Sequence, residues 1–443
     1  MMKKTFWEVL TIDMTKFTAG FARLDITPFL GIPMGGSWKA RCMQGVLDPL
    51  QVNAIAFGDG EKTALLLVMD LVGIYGTHVP EMLQAVAEAT NLPLEAVNIH
   101  CTHTHTGPSV ASDEQYADFL KHRMCDAAVM AIADRKPVTD VRWAEVITEN
   151  MTFPRRYKLS DGTVMTNPAG EWAKMIVDYA STNDETLRLV RILREDAPEI
   201  DLVNFASHPD NIHGEYISAD FPGATRSTVE AAHPEAKCVF LQGCEGQMVI
   251  GTRLKPRTPS SYEKAMAHGV KLGEYVLEMF DKAVSTGQTG FHYGKKSTTV
   301  KTKWDPARIP EAQRIADAHA AGRDDLIHPV QKFANYMRVE ANRILRLDKE
   351  KLAYQDAQLS AITFCGMAIA GFPGEMFNEL GVQVRKNSKF PITLTLAICN
   401  GSLGYFPTSE AFEQGGYEAY NTPYDKGAAE QMANTLDELI ESL

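Results

Sequence analysis

The sequence predicts an α/β fold, because segments typical of buried strands alternate along the chain with segments typical of amphipathic helices. KTALLLVMDLVG (62–73) is an apolar run that ends near an acidic residue, as buried strands do. VPEMLQAVAEAT (79–90) follows, with apolar residues at helical spacing and a proline near its start. AVNIHCTH (96–103) is again typical of a strand, and 113–134 has the pattern of an amphipathic helix.

The same alternation continues to the end of the chain. Further strands are predicted at TLRLVRIL (186–193), IDLVNFASH (200–208), KCVFLQGC (237–244), SAITFCGMAIAGF (360–372) and PITLTLAICN (391–400). Helices are predicted at 261–284 and 428–442. The stretch 306–356 is charged and helical in pattern, so we expect a helical insertion on a single α/β domain that spans residues 1–443.

Composition narrows the class of protein. The 443 residues are 45% hydrophobic and 23% charged, as in ordinary globular chains, and the formal net charge of −12 weighs against nucleic-acid binding. No run of 18 apolar residues suggests a membrane span, and no uninterrupted apolar segment near the start suggests a signal peptide. The seven cysteines form no CxxC pair. We therefore expect a cytoplasmic protein.

Three of the 12 histidines, His100, His103 and His105, crowd into the segment NIHCTHTHTGP. Imidazole is the commonest metal ligand and a proton shuttle, although a satisfied structural cluster is the alternative. His103 and His105 are two residues apart, so in extended backbone both point the same way. Both could bind one ion, or one could bind it while the other acts beside it.

Other polar residues follow predicted strands, at the places where α/β sheets bind ligands. His208 ends one strand, Glu375 lies just past a turn after another, and Tyr405 lies just past a third. Taken singly, these residues are more typical of a structural histidine, a plain turn and a half-buried ring. Taken together, two histidines, one carboxylate and an open position would form a reasonable catalytic zinc site.

A series of segments, in the same order along the chain, resembles the catalytic domain of neutral (alkaline, non-lysosomal) ceramidases and their shorter bacterial relatives. The resemblance runs from near residue 18 to near residue 425. The segments that carry it are TAGFARLDITPFLGIPMGG (18–36), GVLDPLQVNAIAF, LLLVMDLVG, THTHTGP (102–108), FPRRYKLSDGTVMTNPAG (153–170), FASHPDNI, FLQGCEGQ, FPGEMFNELG (372–381) and NGSLGYFPTSEAFEQGGYEAY (400–420).

The resemblance implies a mixed-sheet, layered α/β domain of the neutral-ceramidase catalytic type. It also implies a zinc-dependent amidohydrolase that cleaves the C–N bond of an N-acyl amide by metal-activated water. Carried over position by position, the zinc ligands become His103, His208, Glu375 and Tyr405.

The same resemblance assigns catalytic roles. His105 matches a residue beside the metal that helps to polarise the substrate carbonyl, and Arg155 matches an arginine of the site, with Arg156 as the alternative. The phenol of Tyr405 can also donate a hydrogen bond to the oxyanion of the tetrahedral intermediate.

The chain also departs from the ceramidase pattern. QGCEGQM (242–248) stands where ceramidases carry Gly-Asp-x-Ser-Pro, so no serine nucleophile is carried over. We expect no C-terminal immunoglobulin-like domain. With the charged 306–356 segment, this predicts a small soluble amide as substrate, rather than ceramide in a bilayer.

Two other functions are considered. A metallo-β-lactamase type would need HxHxDH, but Gly107-Pro108 stand in place of Asp-His. A non-catalytic member of the family that binds a lipid or metabolite is the remaining alternative.

Overall fold

The computed structural model describes residues 17–37, 39–251, 254–255 and 261–443. In chain order the strands are β1 Thr18–Asp25, β2 Gly45–Val46, β3 Gln51–Gly58, β4 Thr63–Met69, β5 Val97–Cys101, β6 Lys136–Ile147, β7 Phe153–Pro154, β8 Arg156–Leu159, β9 Val164–Thr166, β10 Ile176–Tyr179, β11 Thr186–Arg194, β12 Ala197–Phe205, β13 Tyr216–Ile217, β14 Ala236–Gln242, β15 Met248–Val249, β16 Val284–Ser285, β17 Phe291–Lys301, β18 Tyr354–Phe364, β19 Met367–Gly371, β20 Glu375–Met376, β21 Ile392–Leu396 and β22 Tyr405–Phe406. The α-helices are α1 His78–Thr90, α2 Glu114–Ala133, α3 Asp220–Ala232, α4 Tyr262–Phe280, α5 Ile309–Ala320, α6 Gln331–Glu350, α7 Asn378–Asn387, α8 Ser409–Gln414, α9 Tyr417–Asn421 and α10 Ala428–Ser442.

Two sheets form the centre of the fold. The larger has the strand order β14-β12-β11-β6-β1-β3-β4-β5, with β16 paired to β6, and the smaller has the order β17-β18-β19-β21. Most neighbours are antiparallel, but β4–β5, β12–β14 and β19–β21 are parallel. Both sheets are therefore mixed, as predicted.

The two sheets pack face to face, and strand periodicity explains how. On β3, Ile55 and Phe57 belong to the core between the sheets, together with Ile362 and Leu394 of the smaller sheet. The alternate residues of β3, such as Ala54, pack against the helices on the opposite face. Because side chains alternate along a strand, one apolar run supplies two cores.

Helices cover the outer faces of both sheets. α1 and α2 pack on β1 and β3–β5, α3 and α4 pack on β11, β12 and β14, and α7 and α10 cover the smaller sheet. The result is a four-layered arrangement of helix, sheet, sheet and helix, which confirms the predicted α/β class. Within the described ranges, no helix is long and apolar enough to cross a membrane.

The sequence-based prediction is wrong at one strand and misses several other elements. The single strand predicted at 360–372 is a hairpin of β18 and β19, because Cys365 and Gly366 turn the chain with φ values of +47° and +78°. Strand β17, which pairs along its whole length with β18, was not predicted, and neither were strands β1, β3 and β6 or helix α3. In the chain, helices α5 and α6 fall between β17 and β18, and they share a small apolar core of their own.

Candidate metal centre

Five polar side chains from separate strand ends meet at one place. His103 follows β5 by two residues, and His208 and Glu245 each follow a strand (β12 and β14) by three. Glu375 begins β20 and Tyr405 begins β22, and these two residues are direct partners in a short parallel pairing. The topology thus brings together side chains that lie up to 302 residues apart in the chain, as ligand sites at the ends of α/β strands require.

The backbone at His103 differs from the prediction. Strand β5 ends at Cys101, and His103 has a left-handed φ of +69°, so extended backbone does not align the two imidazoles. Histidine is one of the residues that tolerate this region. The His103 amide donates to Leu71 O at 2.9 Å and its Nδ1 donates to Val72 O at 2.6 Å, which fixes the ring.

His105 reaches the same place by a different route. Its Nδ1 donates to Gly36 O at 2.8 Å, and its Nε2 lies 3.3 Å from Nε2 of His103. Gly36 has φ +75°, and a Cβ there would lie 2.8 Å from the His105 Cα, so only glycine fits. The ring is therefore held by backbone on its Nδ1 side.

His208 and Glu375 complete the core of the cluster. Nδ1 of His208 donates to the backbone oxygens of Glu245 at 2.9 Å and Met248 at 3.1 Å. Its Nε2 lies 3.2 Å from Oε2 of Glu375, and Nε2 of His103 lies 3.5 Å from the same oxygen.

The donor set fits a cation. Carbonyl oxygens only accept hydrogen bonds, so each of the three rings carries a proton on Nδ1 and turns Nε2 toward the cluster. Nε2 presents a lone pair in His105 and His208, whereas in His103 the carboxylate of Glu375 holds a second proton on Nε2, which a bound cation would replace. Two overlapping groups have ligand atoms within 4.8 Å of one another: His103, His105 and His208, and His103, Glu245 and Glu375. A divalent ion can bind such a set of groups, and this combination of imidazoles and carboxylates suits zinc.

The electrostatics of the cluster are strongly coupled. Burial alone would lower the pKa of His103, but the charge and hydrogen bond of Glu375 raise it to about 9. Burial would raise the pKa of Glu375, but His103 and His208 hold it well below its usual range. Burial lowers the pKa of His208 to about 3 and that of His105 to about 4, so both rings are neutral at pH 7.

Arg155, rather than Arg156, lies at the cluster. Its Nη2 donates to the Tyr405 hydroxyl at 3.1 Å, and its Nε donates to Oε1 of Glu418 at 2.6 Å. Arg156 is fully buried and donates to Gly415 O at 2.7 Å. Burial, followed by the charge of Glu375, raises the pKa of Tyr405 well above its usual value.

The sequence analysis missed Glu245. Its side chain is fully buried, and neither carboxylate oxygen has a hydrogen-bond partner among the described residues. The neighbouring Gln242 amide instead donates to Ser207 O at 2.9 Å. Burial raises the pKa of Glu245 to about 8. The available signal was an acidic residue directly after an apolar strand, in a segment considered only for its missing serine.

His100 and the nearby thiols stand apart from the cluster. The imidazole of His100 is buried, and its Nε2 accepts from the backbone N–H of Gln242 at 2.9 Å. Cys101 and Cys244 are buried, and burial raises the pKa of both thiols. Neither thiol is therefore ionised at neutral pH, as a nucleophile would need to be.

A cavity of about 720 Å³ opens onto the cluster. His103, His105, Glu375 and Tyr405 form part of its wall. Val72 is the one aliphatic side chain among the described residues that line it, and most of the remainder are tyrosines, cations and small polar groups. Such a wall suits a polar ligand better than long hydrocarbon chains.

Comparison with solved structures identifies the fold. Over 97% of this chain and 75% of the other, it is similar to the structure described as neutral ceramidase from Pseudomonas aeruginosa, with a TM-score of 0.70 and 15% identity. A structure described as ceramidase complexed with C2 gives a TM-score of 0.68 and 13% identity over 97% of this chain and 76% of the other. No protein-family model and no curated protein matches the sequence. The fold is therefore neutral-ceramidase-like, as the sequence predicted.

Proposed function

We propose that this chain, which has a neutral-ceramidase-like fold, is a zinc-dependent hydrolase that cleaves the C–N bond of a soluble amide. The observation that carries the proposal is the convergence of imidazole Nε2 atoms with carboxylate oxygens beside a cavity lined mostly by polar residues. The similar structures are those of ceramidases, enzymes that hydrolyse an amide, which supports the same reaction class.

His103, His208 and Glu375 would hold the ion, with the Tyr405 hydroxyl as the fourth ligand. Glu245 would add a second carboxylate from the buried side, since its oxygens lack other partners. When bound, zinc supplies an activated water and polarises the carbonyl of the amide.

His105 would move the protons. Its Nδ1 proton is committed to Gly36 O, and burial keeps the ring neutral, so Nε2 accepts a proton before it can donate one. It would take a proton from the attacking water and return it to the departing amine nitrogen. This role differs from that of a carbonyl donor, which the resemblance implied.

Arg155 and Tyr405 would stabilise the negative oxygen that forms on the carbonyl carbon. The hydroxyl oxygen of Tyr405 accepts from Arg155, and the hydroxyl proton is donated to Glu375. When the carboxylate of Glu375 holds an ion instead, that proton would be available to the oxyanion. The guanidinium lies 5.5 Å from the centre of the Tyr405 ring, so its charge acts on the same region.

The polar cavity wall supports a soluble amide over a ceramide with two long chains. The test is a hydrolysis screen of zinc-loaded and chelator-treated protein against a long-chain ceramide and a panel of short N-acyl amides. We expect zinc-dependent cleavage of at least one short amide, with a higher kcat/KM than for ceramide. No zinc-dependent cleavage of any amide would reject the proposal.

A further inference from the structure

Helix α6 presents two cationic side chains to the cavity. Lys332 and Arg343 both line it, with Tyr336 between them on the same face of the helix. Nζ of Lys332 donates to Asn167 O at 2.5 Å, and Nε and Nη2 of Arg343 donate to Oδ1 of Asn421 at 3.2 and 3.0 Å. Neither cation forms an ion pair with a carboxylate of the described ranges.

Other cations of the same helix differ. Arg346 approaches Glu350 at 3.9 Å and stays about half exposed. Lys349 belongs to the last turn and is exposed to solvent. Arg338 is also partly buried, but it donates to Nε2 of His319 at 2.8 Å, outside the cavity. Lys332 and Arg343 are thus the partly buried cations of α6 that line the cavity.

The carboxylates closest in effect to Lys332 and Arg343 already interact with other residues. Glu418 acts on Lys332, but its carboxylate is held by Arg155 at 2.6 Å and Arg156 at 3.6 Å. Glu375 acts on Arg343, but it faces the histidine cluster. Burial lowers the pKa of Lys332 to about 8, a sign that its charge lacks compensation.

The cavity as a whole is lined by more cationic than anionic side chains. Five cationic side chains line it, against two carboxylates, in a chain whose formal net charge is −12. The cations are Lys39, Arg41, Arg155, Lys332 and Arg343, and the carboxylates are Asp210 and Glu375. Such a wall attracts anions and raises their local concentration.

We propose that the substrate carries an anionic oxygen group, a carboxylate or a phosphate, that binds Arg343 of α6. Arg343 still has free N–H groups after its bonds to Asn421, and a guanidinium matches both kinds of oxyanion. Lys332 lies eleven residues away, roughly 16 Å along the helix, so it cannot bind the same oxygen group as Arg343. Its charge instead attracts the anion into the cavity. This inference rests on the proposed amide hydrolysis and names the class of amide.

The test compares amides that differ only in charge. N-hexanoylglycine is paired with neutral N-hexanoylglycinamide, and N-hexanoyl-phosphoethanolamine with N-hexanoylethanolamine, and hexanoate release gives kcat/KM for each. We expect the anionic member of at least one pair to be favoured tenfold or more, and the preferred pair identifies the oxyanion. If neither anionic member is favoured, the inference is wrong even though amide hydrolysis stands.

Variants of α6 show which side chain causes the preference for the anionic substrate. Arg343→Gln should reduce the ratio of anionic to neutral kcat/KM at least tenfold, Lys332→Gln should reduce it less, and Arg343→Lys should retain part of it. Arg346→Gln and Lys349→Gln are the matched controls and should leave the ratio as in the wild type. An equal loss of both substrates in Arg343→Gln would show a structural role and overturn the inference.

A binding measurement separates this inference from the hydrolytic function. Metal-free wild-type protein should bind inorganic phosphate or succinate in calorimetry, with succinamide as the neutral control, and Arg343→Gln should lose that binding. If no amide is cleaved but this binding is seen, the hydrolytic function fails and the anion site stands. If the metal-free protein binds neither anion, the anion site is wrong.

Discussion

Replacing Glu245 by glutamine removes the negative charge that this carboxyl would acquire when an ion displaces its proton, with little change in shape. The carboxylate is fully buried, lies with His103 and Glu375 in one group of converging ligand atoms, and has no hydrogen-bond partner to lose. Its backbone oxygen, which orients His208, is unaffected by the substitution. The variant therefore tests the side chain alone.

Coulomb's law sets the size of the effect. Two unit charges about 4 Å apart interact by roughly 4 kcal/mol at an effective dielectric of 20. The ion is divalent, so the interaction exceeds this figure, while release of the proton that Glu245 holds at pH 7 costs about 1.4 kcal/mol, a tenfold change in Kd. The lost charge therefore weakens metal binding by about 10³-fold or more. The glutamine oxygen keeps part of the interaction with a divalent ion, so we expect zinc affinity to fall by about 10²–10³-fold in Glu245→Gln.

The assay is competition for zinc against a chelator of known affinity, followed by urea unfolding of the metal-free proteins. The control is Glu379→Gln, because that carboxylate accepts hydrogen bonds from the Thr182 amide and the Gln247 side chain and lies outside the cluster. Metal-free Glu245→Gln should unfold at a urea concentration close to that of the wild type. A Kd within threefold of the wild type, or equal weakening in the control, would refute the reasoning.

Three further substitutions address other parts of the account. His105→Ala should lower kcat by about 10²-fold or more, because proton transfer is lost, but it should keep the bound zinc, because no ligand is removed. Loss of zinc, measured by elemental analysis, would make His105 a ligand instead. Arg155→Lys should lower kcat by about 10²-fold, because a lysine cannot reproduce the bonds to Tyr405 and Glu418; an unchanged kcat would exclude Arg155 from stabilising the oxyanion. Asp220 is fully buried, and burial raises its pKa from 3.8 to about 6, so the folded state binds a proton that the unfolded state has released between these values. The wild type should therefore lose about 2 kcal/mol of stability relative to Asp220→Asn as pH rises from 4 to 6. Parallel stability curves from urea unfolding would contradict this assignment.

Much of the fold could be predicted because its signals are local. The amphipathic period of 428–442 coincides with the bounds of α10, and the apolar run at 62–73 contains β4. The hairpin at 365–366 escaped prediction because the turn is buried and stays apolar, with no polar residue to mark it. Strand β17 is largely polar and buries only Phe291, Gly294 and Val300, so it lacks the continuous apolar run of the strands that were predicted.

The candidate site was only partly accessible from the sequence. Histidines at strand ends carry a chemical signal, and the structure brings His103 and His208 together with Glu375. The role of Glu245 depends on its burial and its unpartnered oxygens, and that of Arg343 depends on how α6 packs beside the cavity. These are properties of tertiary packing, which no local pattern encodes.

Zinc titration of metal-free protein during amide hydrolysis tests the central claim most directly. Hydrolysis of a short N-acyl amide should rise linearly with added zinc and reach a plateau at one equivalent per chain. His208→Ala, which removes a buried imidazole of the cluster, should show no such rise. Hydrolysis that does not depend on zinc, or a titration that is the same in His208→Ala, would contradict the account.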